Sequence, residues 1–465
     1  YPKKTQENPT PTLEEKKEED NICYSVYICF DNARLEPARL HENNGSTQIM
    51  TPHIARLRNF TYAAPLFVDV IITTVQKNLS TKPIKTKKHT QVINKVAFGK
   101  IPIMLRSKAC VLTRPDFHDV DECPNDYGGY FVINGSEKVI VSQERSRENH
   151  ILCHKSKSTK YLKLGEVKSI SNNKYGIVRT FQIKITSPSS QKRSTIKASL
   201  PHIKHEIPIF ILMRALGIES DKDIISYLLL DLDITIYKNI VCILRDSLEE
   251  SSHILTKDAA MKYLIKYVTI YYQNDNMTEE RKLKYLENVF VKEFLPHLNE
   301  NRPKKILFTG CMVCKVLKIQ CGELPYDDRD SYINKRIDTP GMLIANLYKM
   351  LLNKLVKDMK STLNKEFNNG AWRATDDFSK LVTSTNIYKI IKSSSIIESG
   401  MKYALATGNW GAQKQSRKVG IAQVLNRWSY KSTLSHLRRI NTPVDKTAKL
   451  IAPRKLHSTQ AFVMC

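Results

Sequence analysis

Tyr130-Phe131-Val132-Ile133-Asn134-Gly135-Ser136-Glu137-Lys138-Val139-Ile140-Val141 is the stretch whose reading decides the fold. Two apolar, β-branched runs flank an Asn-Gly pair, and Asn-Gly tolerates positive φ at both centres of a tight turn. The spacing therefore predicts a β-hairpin. Upstream, residues 22–75 read as β-structure, with short apolar and aromatic runs around polar turns. Downstream, Thr180-Phe181-Gln182-Ile183-Lys184-Ile185 reads as a strand, and then helical periodicity takes over. Tyr263, Ile265, Tyr267 and Ile270 fall in one helical run, and Leu283, Tyr285, Leu286, Val289 and Phe290 in the next. A long amphipathic helix is expected after Pro340-Gly341, burying Leu343, Leu347, Leu351, Leu352, Leu355 and Val356. The mixture predicts an α+β fold in at least two modules. Polar, Lys/Ser-rich sequence from Lys155 to Lys174 is expected to mark a module boundary. Residues 1–21, acidic after a Pro/Thr-rich start, are expected to be a flexible lead-in.

The 465 residues suggest two to four domains, and 41% hydrophobic with 26% charged residues excludes a fibrous or disordered chain. Lys+Arg of 73 against Asp+Glu of 46 leaves a formal +27, which favours a polyanionic partner through counterion release. Apolar stretches such as Ile207 to Met213 are far too short to span a bilayer, so no membrane partner is expected. The ten cysteines lie scattered, without a small-domain disulfide pattern, and imply a reducing, intracellular setting. Cys311 and Cys314, with Cys321 nearby, have metal-like spacing but fill only half a zinc shell, so no metal is expected on them. A chain running from Tyr1 to Cys465 reads as cut at both ends.

Charge concentrates in the last 65 residues. Lys402, Lys414, Arg417, Lys418, Arg427, Lys431, Arg438, Arg439, Lys446, Lys449, Arg454 and Lys455 face a single acid, Asp445. A solvated surface mixes signs, so a run of one sign points to phosphate binding without sequence preference. Ile421, Val424, Leu425 and Trp428 recur at helical spacing, which would leave Gln423 and Arg427 on another face. A second helix is expected from Ser432 or Thr433 as N-cap, burying Leu434, Leu437 and Ile440 and exposing His436 and Arg439. Trp428, Leu434 and Leu437 are read as core rather than as stacking platforms. Loops are expected at Gly408 to Gly420 and at Thr442 to Pro453.

Several blocks resemble a known family in order and wording. Ala55-Arg56-Leu57-Arg58-Asn59-Phe60-Thr61-Tyr62, Ile101-Pro102-Ile103-Met104-Leu105-Arg106-Ser107 and Gly128-Gly129-Tyr130 through Val139 come first, closed by Gln143-Glu144-Arg145-Ser146. Arg214-Ala215-Leu216-Gly217 and Asp327-Asp328-Arg329-Asp330 lie midway. Tyr403 to Gly411, Val424-Leu425-Asn426-Arg427, Ser432 to Pro443 and Pro453-Arg454-Lys455-Leu456-His457 follow. Together they resemble the second-largest subunit of eukaryotic or viral-type multisubunit DNA-directed RNA polymerases, from about Ile22 onward.

That resemblance implies a protrusion domain (22–167 and 370–407) interrupted by an inserted lobe (168–369), then a fork region (408–465). It implies transcription of DNA into RNA by an assembled nucleotidyltransferase, to which this segment contributes positioning and no catalytic residue. The segment alone would be inactive. Nucleic-acid contacts are expected from Lys138, Lys414, Arg417, Gln423, Arg427, Arg438, Arg439, Lys446, Lys449 and Arg454. No cofactor is expected in the segment; the family's Mg2+ is held mainly by the largest subunit, and its Zn2+ lies in a later C-terminal part. The acidic run Asp327-Asp328-Arg329-Asp330 is read as a cap-forming turn, not a two-metal site. Implied partners are the largest and other polymerase subunits, template DNA, nascent RNA, nucleoside triphosphates and transcription factors. The implied location is the nucleus for a cellular enzyme, or a cytoplasmic viral factory or virion for one from a large DNA virus. A stand-alone nucleic-acid-binding module and a docking platform for transcription factors are the alternatives.

Overall fold

The computed structural model describes residues 14–16, 22–78, 85–113, 121–155, 158–171, 178–188, 193–230, 238–268, 278–368, 384–411 and 418–442. Two compact units emerge: Tyr1–Gln143 with Ile337–Thr442, and Glu144–Arg336, which interrupts the first in chain order. Both mix helices with antiparallel sheets, as the α+β expectation requires.

In the first unit, long strands Ile22–Leu35, Ala63–Asn78 and Lys85–Pro102 pair antiparallel, with Ala63–Asn78 in the centre. Glu14–Lys16, expected within a flexible lead-in, instead adds a short outer strand in register Glu14↔Ser25. A sheet edge offers unpaired N–H and C=O groups to any chain that reaches it, whatever its side chains. The predicted hairpin forms between Phe131–Ile133 and Ser136–Ile140, with φ of 50° at Asn134 and 78° at Gly135. A Cβ on Gly135 would stand 2.4 Å from Asn59 Oδ1, so the turn needs glycine for room as well as for φ.

The helix Pro340–Asn368 buries Leu343, Leu347, Leu351, Leu355, Met359 and Leu363, one every four residues, in a core that also holds Val68, Val70, Val96 and Phe98 of the sheet, and it packs on the helices Ser384–Ser394 and Ile396–Thr407. Such a row slants across the helix surface. It leaves Leu352 only half-buried and Val356 exposed, against expectation. Ile397, Met401 and Leu405 of the helix Ile396–Thr407 join the same core, together with Phe131, Ile133 and Ile140 of the hairpin.

The second unit is a five-stranded antiparallel meander, Ile151–Lys155, Tyr161–Ser169, Arg179–Thr186, Ile196–Ser199 and Ile207–Pro208, packed on helices. Phe181, Ile183 and Ile185 alternate inward along one strand. The helix Ile209–Leu216, apolar except for Arg214, is buried at every residue. Gly310 lets the helix Arg302–Cys321 meet the backbone of Tyr227, where an added Cβ would lie 2.1 Å from the carbonyl oxygen.

These units differ from the boundaries expected at 168 and 369. The polar stretch after Lys155 connects two strands of one sheet, in register Cys153↔Gly165, and divides no modules. Pro340–Asn368 belongs to the first unit because its leucine row lies in the core it shares with Ile397, Met401 and Leu405 of that unit.

Candidate nucleic-acid interface

Ile421 and Leu425, which bracket a short third strand on the hairpin, are buried. That strand, Ala422–Val424, pairs with Ser136–Ile140 in register Gln423↔Val139. Val141 N–H donates to Ile421 O and Leu425 N–H to Glu137 O, both at 2.9 Å. The helical reading of 421–428 is thereby corrected, since spacing alone cannot reveal that a hairpin edge is available. The correction reaches side chains as well: Val424 is 62% exposed and Trp428 94%, so Trp428 is no core residue.

The next helix is Tyr430–Leu437, with its cap three or four residues earlier than expected. Ser429 is the N-cap, and its side chain and that of Ser432 form a reciprocal capping box. Starting there turns the helix so that His436 is buried, Leu434 and Leu437 are half-buried, and Ile440 is exposed.

His436 sits in a chain of hydrogen bonds. Its Nδ1 accepts from Asn426 N–H at 3.1 Å, so its Nε2 carries the proton and donates to Gln423 Oε1 at 2.9 Å; Gln423 Nε2 donates to Gly420 O at 3.0 Å. Burial, then the nearby Arg439 charge, holds the imidazole below its ordinary value. A histidine whose folded pKa is depressed stabilises fully above its unfolded value, near ~6.5, and loses that contribution as pH falls towards the folded value. The difference in melting temperature between wild type and His436→Gln is therefore expected to shrink as pH is lowered from 7.5 to 5.5. A difference independent of pH would mean that protonation does not reach the ring.

The cations divide into committed and free. Arg427 donates to Glu137 Oε2 through Nε at 2.7 Å, to Glu137 Oε1 at 3.0 Å and to Asp126 Oδ2 at 3.2 Å; its guanidinium also lies 4.9 Å from the Tyr130 ring centre. Glu137 also accepts from Arg56 Nε at 2.9 Å, and Arg56 continues to Glu122 at 2.6 Å and to the Tyr130 hydroxyl at 2.8 Å. Burial pushes the Glu137 carboxyl up, but Arg427 and Arg56 outweigh it and hold it below its ordinary range. Lys138 Nζ donates to Ala406 O at 3.1 Å, near the negative C-terminal end of the helix Ile396–Thr407. Both Arg427 and Lys138 were expected to reach nucleic acid, yet each has a protein partner distant in sequence.

Arg438 and Arg439 are exposed and make no ion pair among the described residues; Lys402, Lys418 and Lys431 are exposed as well. Gln423 is spent on His436 and Gly420. Lys414, Arg417, Lys446, Lys449 and Arg454 lie outside the described residues. Sequence reading missed the carboxylate side of the site, Glu122, Asp126 and Glu137. Only the Gly-Ser-Glu-Lys block after the turn marked any of them.

Two regions once weighed as metal sites have structural partners. Asp327 Oδ2 accepts from Cys153 N–H at 2.8 Å and Lys315 Nζ at 2.7 Å, and Asp328 Oδ1 accepts from Asp330 N–H at 2.9 Å, closing the turn. Cys311 and Cys314 lie within one helix, where the buried Cys314 Sγ donates to Leu229 O at 3.2 Å.

The chain is thus an α+β protein of two units in which the exposed charges described between residues 401 and 442 are all basic. The family model for the RNA polymerase beta subunit matches residues 2–397, and that for RNA polymerase Rpb2, domain 3, matches residues 423–465. The chain belongs to the RNA polymerase β-subunit family, and its relatives are second-largest subunits. It is 38% identical, over 96% of its length, to DNA-directed RNA polymerase II subunit 2 of Arabidopsis thaliana. It is 36% identical, over 94%, to subunit RPB2 of Schizosaccharomyces pombe. The chain spans 37% and 36% of those two relatives. Against DNA-directed RNA polymerase subunit Rpo2N of Methanococcus vannielii it is 30% identical over 94% of this chain and 81% of the relative.

Proposed function

We propose that this chain serves DNA-directed RNA synthesis as part of an assembled, multisubunit nucleotidyltransferase, holding template DNA and the RNA–DNA hybrid without itself supplying catalytic groups. The observation that carries this reading is the unpaired exposure of Arg438 and Arg439 at the end of the Tyr430–Leu437 helix. Guanidinium groups left without carboxylates are free for bidentate phosphate contact. In this reading Glu144–Arg336 is the lobe, the first unit up to Thr407 is the protrusion, and 408–465 is the fork. Lys414, Arg417, Lys446, Lys449 and Arg454 extend the phosphate-binding surface, whereas Arg427 and Lys138 hold the fork in place. Mg2+ belongs to the largest subunit, and neither Mg2+ nor Zn2+ is held here. The partners are the other polymerase subunits, nucleic acid, nucleoside triphosphates and transcription factors, and the eukaryotic relatives favour a nuclear enzyme.

Titrating the chain with an RNA–DNA hybrid at several salt concentrations tests the reading. Affinity is expected to fall steeply with salt and to ignore hybrid sequence. Arg439→Ala is expected to flatten the slope of log K against log salt by about one unit, with a change in stability within about 0.5 kcal/mol. A salt-independent affinity would refute phosphate binding, and a large drop in melting temperature would make Arg439 a structural residue.

A further inference from the structure

A cleft of about 310 Å3 opens in the first unit. Its rim carries Tyr127 and Tyr430, whose ring centres are 6.2 Å apart and which are 66% and 57% exposed. Leu434 and Leu437 form an apolar wall. The charge inside is unequal, with Glu122, Asp126 and Glu137 against Arg56 and Arg427. Both guanidiniums are consumed by these carboxylates and by Tyr130. One acceptor is left over: Glu122 binds Arg56 through Oε1, while its Oε2 has no donor among the described residues, although the side chain is only 10% exposed.

A nearly buried carboxylate with one oxygen unengaged, below two exposed phenol rings, suits a cation. The carboxylate supplies charge, and the ring faces attract an ammonium or guanidinium through their quadrupoles. Phosphate would meet the excess negative charge, so nucleic acid is disfavoured here even in a chain of net +27. The surroundings suit a polypeptide: Trp428, two residues before Tyr430, is 94% exposed, and exposed Trp and Tyr beside Arg is the composition of interface hot spots.

We propose that this cleft docks an arginine or lysine side chain of another polypeptide. The cationic head pairs with Glu122 Oε2, Tyr127 and Tyr430 flank it, and its aliphatic stem lies along Leu434 and Leu437. This site is separate from the free cations assigned to nucleic acid and does not depend on that assignment.

Calorimetric titration of the full chain with acetyl-Leu-Arg-Leu-amide and with its citrulline counterpart, a neutral isostere, tests the proposal. The arginine peptide is expected to bind at least about tenfold more tightly, as a close charge pair provides. Glu122→Gln should remove that preference. Because Glu122→Gln also disturbs Arg56, Tyr127→Ala provides a second arm; this exposed ring leaves no cavity, and its loss should weaken the arginine peptide about two- to fivefold. Equal affinity for both peptides would overturn the proposal, as would unchanged binding by Tyr127→Ala. So would displacement of the arginine peptide by an oligouridylate, which would make the cleft a nucleic-acid site.

Discussion

Arg214→Ala is expected to lower the stability of the Glu144–Arg336 unit by about 3–5 kcal/mol, enough to unfold a marginal domain. Arg214 is fully buried, the single charged residue of the otherwise apolar helix Ile209–Leu216. Its guanidinium donates to Ser251 O at 2.8 Å and to Ile254 O, beyond the last turn of the helix Lys238–Ser251. It also pairs with Asp221, in the first turn of the helix Asp221–Leu229. One side chain therefore ties three helices, and its removal strands carbonyls and opens a cavity at once. Arg214→Lys should recover little, because one ammonium lacks the planar fork that reaches these groups together. Chemical denaturation of the chain, followed by limited proteolysis within 144–336, measures the effect. A loss under about 1 kcal/mol would mean that water replaces the guanidinium and that the helices hold by apolar contact alone.

Glu137→Gln is expected to loosen the 418–442 segment by about 2–4 kcal/mol, below the full cost of breaking a buried pair because Glu137 and Arg427 keep 18% and 41% of their side chains exposed. Glutamine preserves the shape but removes the charge that Arg56 and Arg427 share. Hydrogen exchange of the amides of 421–437 should rise in the variant while the long sheet of the first unit stays protected. The pH dependence follows from the carboxyl's lowered folded value. Its contribution is complete above the unfolded value, near ~4.3, and is lost as pH falls through the folded value, so the two proteins should converge in acid. Asp126 behaves alike: burial raises its carboxyl, but the Tyr130 hydroxyl, Gly128 N–H and Arg427 lower it further. Equal protection of 421–437 in both proteins would show that strand pairing and the apolar core hold this segment without the arginines.

Much of the fold is legible in local sequence because it rests on local rules. Asn134-Gly135 supplies two positive-φ positions, so the hairpin needs no information from elsewhere. The alternation in Thr180 to Ile185 and the leucine row after Pro340 report which faces are buried before any partner is known. The basic run from Met401 onward likewise shows its charge through composition.

Assignment of each cation was beyond the sequence. Arg427 and Arg439 have the same side chain twelve positions apart, yet one is matched by Glu137, 290 residues away, and the other is free. Lys138 finds its acceptor 268 residues on. Trp428 illustrates the converse: its size predicts burial, but the strand Ala422–Val424 and the cap at Ser429 leave it on the surface. Sequence by itself determined the family, the α+β class, the hairpin and the sign of the charge, since each depends on residue type and short-range spacing. Tertiary structure decided where the units divide, which cations remain free and that a carboxylate cleft lies beside them. Those properties depend on which distant groups meet, and ion pairing acts over a few ångströms of space whatever the separation along the chain.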